Sequence, residues 1–193
     1  MRMAETPSTM LPLGTSLPAF RLEDVVTGRA VSSSAPTPKG ALVMFVCNHC
    51  PFVVHIRKPL VALANDAVER GLSVFAINSN SAATHPQDGP ANMKRWAADD
   101  EFRFPFLFDE TQDVARAFRA ACTPDFFLFD AARTLAYRGR FDGSTPGNRV
   151  ATTGDELRAA IDAVLDGRAP DAKQLPSVGC SIKWHPISPQ GSP

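Results

Sequence analysis

An unbroken apolar run, Ala41-Leu42-Val43-Met44-Phe45-Val46, leads directly into Cys47-Asn48-His49-Cys50, and Pro51 then opens a long stretch of helical spacing. A short run of this kind reads as a central strand buried on both faces. From Phe52 to Arg70, the residues Val53, Ile56, Leu60, Leu63, Ala64, Ala67 and Val68 share one stripe, and Gly71 supplies the stop. Pro59 falls inside this segment and predicts a kink. The two thiols therefore sit at a strand-to-helix junction, near enough to each other for a disulfide. Free N–H groups and the positive dipole end of the helix favour a thiolate there. This is the setting for thiol–disulfide exchange, although the spacing also serves zinc.

The rest of the chain supplies alternating strands and helices. Residues 1–18 form a Pro-rich irregular lead-in, and residues 20–31 alternate about the Thr27-Gly28 turn as a β-hairpin. Strands are expected at 72–77, 104–108, 126–129 and 135–139, and helices at 91–100, 111–119 and 156–165, the last capped by Thr153-Gly154-Asp155. That order predicts an α/β domain over residues 19–169, a mixed central sheet with helices on both faces. Residues 170–193 read as a Pro-, Ser- and Gly-rich tail containing Cys180-Ser181-Ile182-Lys183-Trp184.

With 193 residues and 44% hydrophobic content, the chain can fill a proper core. Lys+Arg and Asp+Glu are both 20, so bulk charge draws it neither to nucleic acid nor to an anionic membrane. No stretch approaches the roughly 20 apolar residues of a membrane span. The first twenty residues, broken by Pro7, Pro12 and Pro18, carry no secretory h-region. The expected compartment is the reducing cytoplasm, where paired cysteines are more often catalytic or metal-binding than structural.

Within the motif, Cys47 is expected to be the exposed nucleophile, and Cys50, one turn in, the shielded resolving thiol. His49 between them would stabilise the Cys47 thiolate. Cys122-Thr123-Pro124 precedes an apolar strand and is a candidate docking surface for a partner's backbone. A cis Thr123–Pro124 bond would suit that role, whereas frequency alone favours trans. Cys122 reads equally as an inert buried thiol. Cys180 is either a third redox thiol brought in by the tail, or a small residue in a segment stapled down by Ile182 and Trp184. For zinc, Cys47, His49, Cys50 and His55 cluster in sequence, but no second C-x-x-C or H-x-x-x-H accompanies them.

Taken together, these segments resemble the peroxiredoxin-like (AhpC/TSA-type) proteins of the thioredoxin fold that carry a thioredoxin-type C-x-x-C. The resemblance rests on Cys47-Asn-His-Cys-Pro51, Cys122-Thr-Pro-Asp-Phe-Phe-Leu-Phe-Asp130, Thr145-Pro-Gly-Asn148 and Gly179-Cys-Ser-Ile-Lys-Trp184. Leu17-Pro-Ala-Phe-Arg-Leu22 and Pro105-Phe-Leu-Phe-Asp109 add to it, and it covers roughly residues 15 to 185. It implies a thioredoxin fold with a peroxiredoxin-like N-terminal hairpin and insertions. Peroxiredoxins carry Pro-x-x-x-Thr-x-x-Cys. With Cys50 in the peroxidatic place those positions hold Val43 and Cys47, and with Cys47 there they hold Gly40 and Met44. Either register lacks both residues, which favours disulfide exchange over peroxide reduction. The resemblance thus implies a thiol–disulfide oxidoreductase using Cys47 and Cys50, with no bound cofactor. Its partners would be a disulfide-bearing protein or small-molecule disulfide and a thiol reductant. The alternatives are a thiol-dependent peroxidase and a non-catalytic metal-binding thiol protein.

Overall fold

The computed structural model describes residues 5–186. Its centre is β4 (Ala41–Phe45), every residue of which is buried. Parallel to it runs β5 (Ser73–Asn78), and antiparallel on its other side β8 (Asp125–Phe129). Outward from β5 follow β6 (Phe106–Phe108), β2 (Arg21–Asp24) and β3 (Ala30–Ser32); beyond β8 lies β9 (Leu135–Tyr137). The seven-stranded mixed sheet has the order β3-β2-β6-β5-β4-β8-β9.

The pleat of β4 explains why both its faces are apolar. Leu42 and Met44 point into one core with α1 (Pro51–Glu69) and α4 (Asp155–Leu165), whereas Ala41, Val43 and Phe45 point into a second core with α3 (Asp113–Ala117). α2 (Pro90–Asp99) joins the first core through Met93, Trp96 and Ala97. On the opposite face Phe45, Phe118 and Phe127 meet edge-on at centroid distances of 5.4–5.8 Å.

α1 buries Val53, Ile56, Leu60, Leu63, Ala64 and Ala67 as the spacing predicts, and it continues through Pro59. The expected cap of α4 is different in kind. Gly154 occupies the N-cap at φ 67° without a side-chain cap, and the Thr153 and Gly154 amides both donate to Asp142 Oδ2 at 2.7 Å. The carboxylate comes from twelve residues upstream, which a local cap signal cannot show.

The two chain ends are structured where they meet. β1 (Thr6–Pro7), β10 (Val178–Ser181) and β7 (Cys122–Thr123) form a second, three-stranded sheet in the order β1-β10-β7. The segment expected as an irregular lead-in and the tail thus each contribute a strand. Ile182 is buried in the second core, and Trp184, 41% exposed, lies against the Arg116 guanidinium at 5.2 Å. Among the described residues, no helix is long and apolar enough to cross a membrane.

Candidate functional site

β4 ends at Phe45 and α1 starts at Pro51, so Cys47 to Cys50 form the connecting turn. Cys50 is the N-cap of α1 and Pro51 its first residue, a place where proline's missing donor costs nothing. Beneath the turn lies Thr123. Its hydroxyl is 3.2 Å from Cys47 Sγ, and its carbonyl accepts from the Cys50 thiol at 3.1 Å. The Thr123–Pro124 bond is cis. One residue therefore touches both sulfurs. All four cysteines are free thiols.

The expected difference in exposure between Cys47 and Cys50 is absent: both residues are 0% exposed. The electrostatics also favour the other sulfur. Cys47 is raised well above the usual thiol range by its hydrogen bond to Cys50, by burial and by the negative charge of Asp88, with the Thr123 hydroxyl opposing. Cys50 is lowered to about 5, chiefly by the hydrogen bond from Cys47 and against its own burial. The Cys180 thiol and the backbone amides of Val53 and Cys180 add to the lowering. Position adds a smaller contribution: Cys50, not Cys47, caps α1 and receives the Val53 amide of its first turn. The bond from Cys50 to the Thr123 carbonyl acts the other way, because it needs the proton.

His49 is placed between the sulfurs and a group the sequence did not single out. Its Nδ1 is 2.5 Å from Asp88 Oδ2 and 4.0 Å from Cys47 Sγ, so its proton is engaged by the carboxylate rather than by sulfur. Asp88 itself is 0% exposed and organises the whole turn. Its Oδ1 accepts from the backbone amides of Asn48 at 2.9 Å and His49 at 3.2 Å, and its Oδ2 also accepts from Asn80 at 2.9 Å. The His49 ring stacks on His85 at 5.2 Å. Nothing local marks Asp88 in the sequence. It falls in a polar loop, about forty residues from the amides it holds.

Among the described residues, one group of three could hold a metal ion: Cys47 Sγ, His49 Nδ1 and Asp88 Oδ2, all within 4.8 Å of one another. Of the four residues that cluster in sequence, Cys50 and His55 are not in this group, and His55 lies beyond the first turn of α1. That residue is instead engaged elsewhere, its Nε2 3.1 Å from Ser144 Oγ and from Thr152 Oγ1. The 2.5 Å separation of His49 and Asp88 is that of a direct hydrogen bond and is too short for two ligands of one ion.

Thr123 lies against both sulfurs, but the strand edge read as a partner's docking surface is already filled. Strand β10 pairs antiparallel with β7, placing Cys180 opposite Thr123 and Ser181 opposite Cys122. Gly179 makes this approach possible, since a Cβ there would lie 2.0 Å from the Thr123 carbonyl oxygen. Cys180 packs against the core containing Cys47 and Cys50 and remains partly exposed. Cys122 is fully buried, its thiol pushed far up by burial and by Asp125, which suits an inert role.

A model of the AhpC/TSA family matches residues 13–138. Two solved structures resemble almost the whole chain. An uncharacterized conserved protein from Geobacillus kaustophilus is 48% identical over 97% of this chain and 100% of its own, with a TM-score of 0.93. A hypothetical protein from Sinorhizobium meliloti 1021 is 44% identical over 93% and 98%, with a TM-score of 0.90. A putative thioredoxin from Neisseria meningitidis, 22% identical over 81% of this chain and 93% of its own, has a TM-score of 0.60 and shows the shared thioredoxin fold. Among curated proteins none matches.

Proposed function

Because the chain belongs to the AhpC/TSA family and has a thioredoxin-like redox function, we propose that it is a thiol–disulfide oxidoreductase working through Cys47 and Cys50. The observation that carries this reading is the pairing of the two sulfurs over Thr123, one on its hydroxyl and one on its carbonyl, at the start of α1. The hydrogen bond from Cys47 lowers the Cys50 thiol, which makes Cys50 the sulfur that gives up its proton more readily. The Cys50 thiolate attacks one sulfur of a partner disulfide and expels the other as a thiolate. Cys47 then gives up its proton and attacks Cys50 Sγ, releasing the partner as a dithiol and leaving Cys47–Cys50 oxidised. Two outside thiols reverse the sequence, leaving as their own disulfide, and no bound cofactor enters it. Exchange of this kind suits a reducing compartment such as the cytoplasm.

His49 acts through Asp88: the pair holds the turn that carries Cys47, and the carboxylate keeps negative charge off that sulfur. Thiol-dependent peroxide reduction is the second reading, favoured by family membership and by the Thr123 hydroxyl beside Cys47. Val43 and Cys47, or Gly40 and Met44, stand where that chemistry expects Pro and Thr. The test is a side-by-side assay of insulin-disulfide reduction, stopped-flow peroxide consumption and metal content after anaerobic purification. Insulin turnover with slow peroxide consumption and no bound metal supports the reading. Fast peroxide consumption without insulin turnover points to the peroxidase, and stoichiometric metal points to a metal-binding protein.

A further inference from the structure

We propose that residues 178–181 are a built-in substrate strand, lying on the docking edge beside the active sulfurs and holding Cys180 as a third redox thiol that exchanges with Cys50. This deepens the Cys47–Cys50 reading and rests on it. Its geometric basis is the pairing of β10 with β7. An extended peptide that adds to a sheet edge does so through backbone hydrogen bonds, with side chains placed by register. Here the added peptide belongs to the chain itself, and the register puts a cysteine opposite Thr123, whose carbonyl receives the Cys50 thiol.

Three further observations fit a strand made for this place. Gly179 is the residue that passes over the Thr123 carbonyl, where any side chain would collide with backbone. The Ile182 amide donates to the Ala121 carbonyl at 3.0 Å, which extends the pairing, and the buried Ile182 side chain anchors the far end. At the near end β1 closes the other edge, opposing Thr6 to Gly179 and Pro7 to Val178.

Burial assigns the direction of traffic. Cys47 and Cys50 are wholly covered, whereas Cys180 is partly exposed and packs against the core that holds them. With the pair oxidised, the Cys180 thiolate attacks Cys50 Sγ. The Cys50–Cys180 bond forms, the Cys47–Cys50 bond breaks, and Cys47 leaves as a thiolate that takes a proton. An outside thiol then attacks Cys180 Sγ and frees Cys50. A second outside thiol attacks the first, forming their disulfide and leaving Cys180 reduced. Two outside thiols lose two electrons and the protein gains them. In the reduced protein the Cys180 thiol is pushed up to about 12 by burial and by Cys50, with Lys183 opposing. The contribution of Cys50 disappears once that sulfur is in a disulfide.

Trypsin cleavage after Lys39, Arg57, Lys173 and Lys183 puts Cys47 and Cys50 on one peptide and Cys180 on another. The full-length protein, oxidised with glutathione disulfide, acid-quenched and mapped without reduction, should therefore yield the two peptides cross-linked as a minor species beside the Cys47–Cys50 disulfide. Cys47→Ser should trap the Cys50–Cys180 bond as the main product. Cys180→Ala should lose most of its turnover with insulin while its Cys47–Cys50 disulfide still forms. A wild type that reduces insulin, with no cross-link in it or in Cys47→Ser, overturns the third thiol and leaves the oxidoreductase standing. A wild type that forms the cross-link but reduces no disulfide keeps the third thiol and removes the oxidoreductase.

Discussion

Replacing Asp88 with alanine tests how the turn bearing the sulfurs is held. The substitution deletes an acceptor that serves the Asn48 and His49 amides, the Asn80 amide group and the His49 ring. Asp88 is fully buried, so no water replaces it without rearrangement. The three amide donors among these, left unpaired, cost about 1–3 kcal/mol each, while the partly exposed His49 ring can turn to water. Relaxation keeps the sum near the low end, and a loss of about 3–5 kcal/mol, comparable to breaking a buried ion pair, is expected. For a chain of this size that corresponds to roughly 6–20 °C in Tm. The assay is urea and thermal unfolding of the reduced protein in excess dithiothreitol, with Asp88→Asn alongside. Asparagine keeps one acceptor for the backbone amides and should cost less. The same Asp88→Asn variant removes the negative charge that raises Cys47, so alkylation of Cys47 should move to lower pH. A loss below about 1 kcal/mol for Asp88→Ala, with no change in the Cys47 profile, refutes the organising role.

Three further outcomes follow from the same geometry. Gly179→Ala should lift β10 from Thr123 and speed alkylation of Cys47 and Cys50 while circular dichroism stays native; unchanged protection would mean that the strand does not cover the site. Asp125 is 0% exposed and raised by burial from 3.8 to about 7, so its folded pKa lies above its unfolded one. The stability it contributes is full below the unfolded value and is lost as pH climbs to about 7, by up to about 4 kcal/mol over that window. Denaturation curves between pH 4 and 8 should show this slope in the wild type and a flatter one in Asp125→Asn. Thiolate absorbance at 240 nm should show one thiol of the reduced protein titrating near 5, and Cys50→Ser should remove that step; a first step near the ordinary thiol range would contradict the placement of charge on Cys50.

The parts of the fold that follow from local pattern were legible in the sequence. The apolar run 41–46 became β4, the stripe from Val53 to Ala67 became the buried face of α1, and residues 21–32 paired as a hairpin. Contacts between distant segments were not legible. The cap of α4 comes from Asp142, the turn 47–50 is held by Asp88, and Thr123 is paired by a strand nearly sixty residues later. The same limit explains the two sulfurs. Spacing placed both at the helix start, but which one receives the amides, and whether either meets solvent, depends on Pro51 opening the helix and on β10 lying across Thr123. Thr123 was singled out by the sequence, and the strand that fills its edge was visible only as a tail with anchors.

The central claim is that Cys47 and Cys50 are one two-electron redox unit. Equilibration of the full-length protein across a series of glutathione or dithiothreitol buffers, followed by acid quench, alkylation and mass counting on the peptide that carries both, measures this directly. The account predicts that the two thiols disappear together in a single transition, with a slope of about 30 mV per tenfold change in ratio. Cys122 should stay reduced throughout, as its burial requires. A peptide that remains fully alkylated at every potential, or one that loses Cys47 and Cys50 independently, would contradict it.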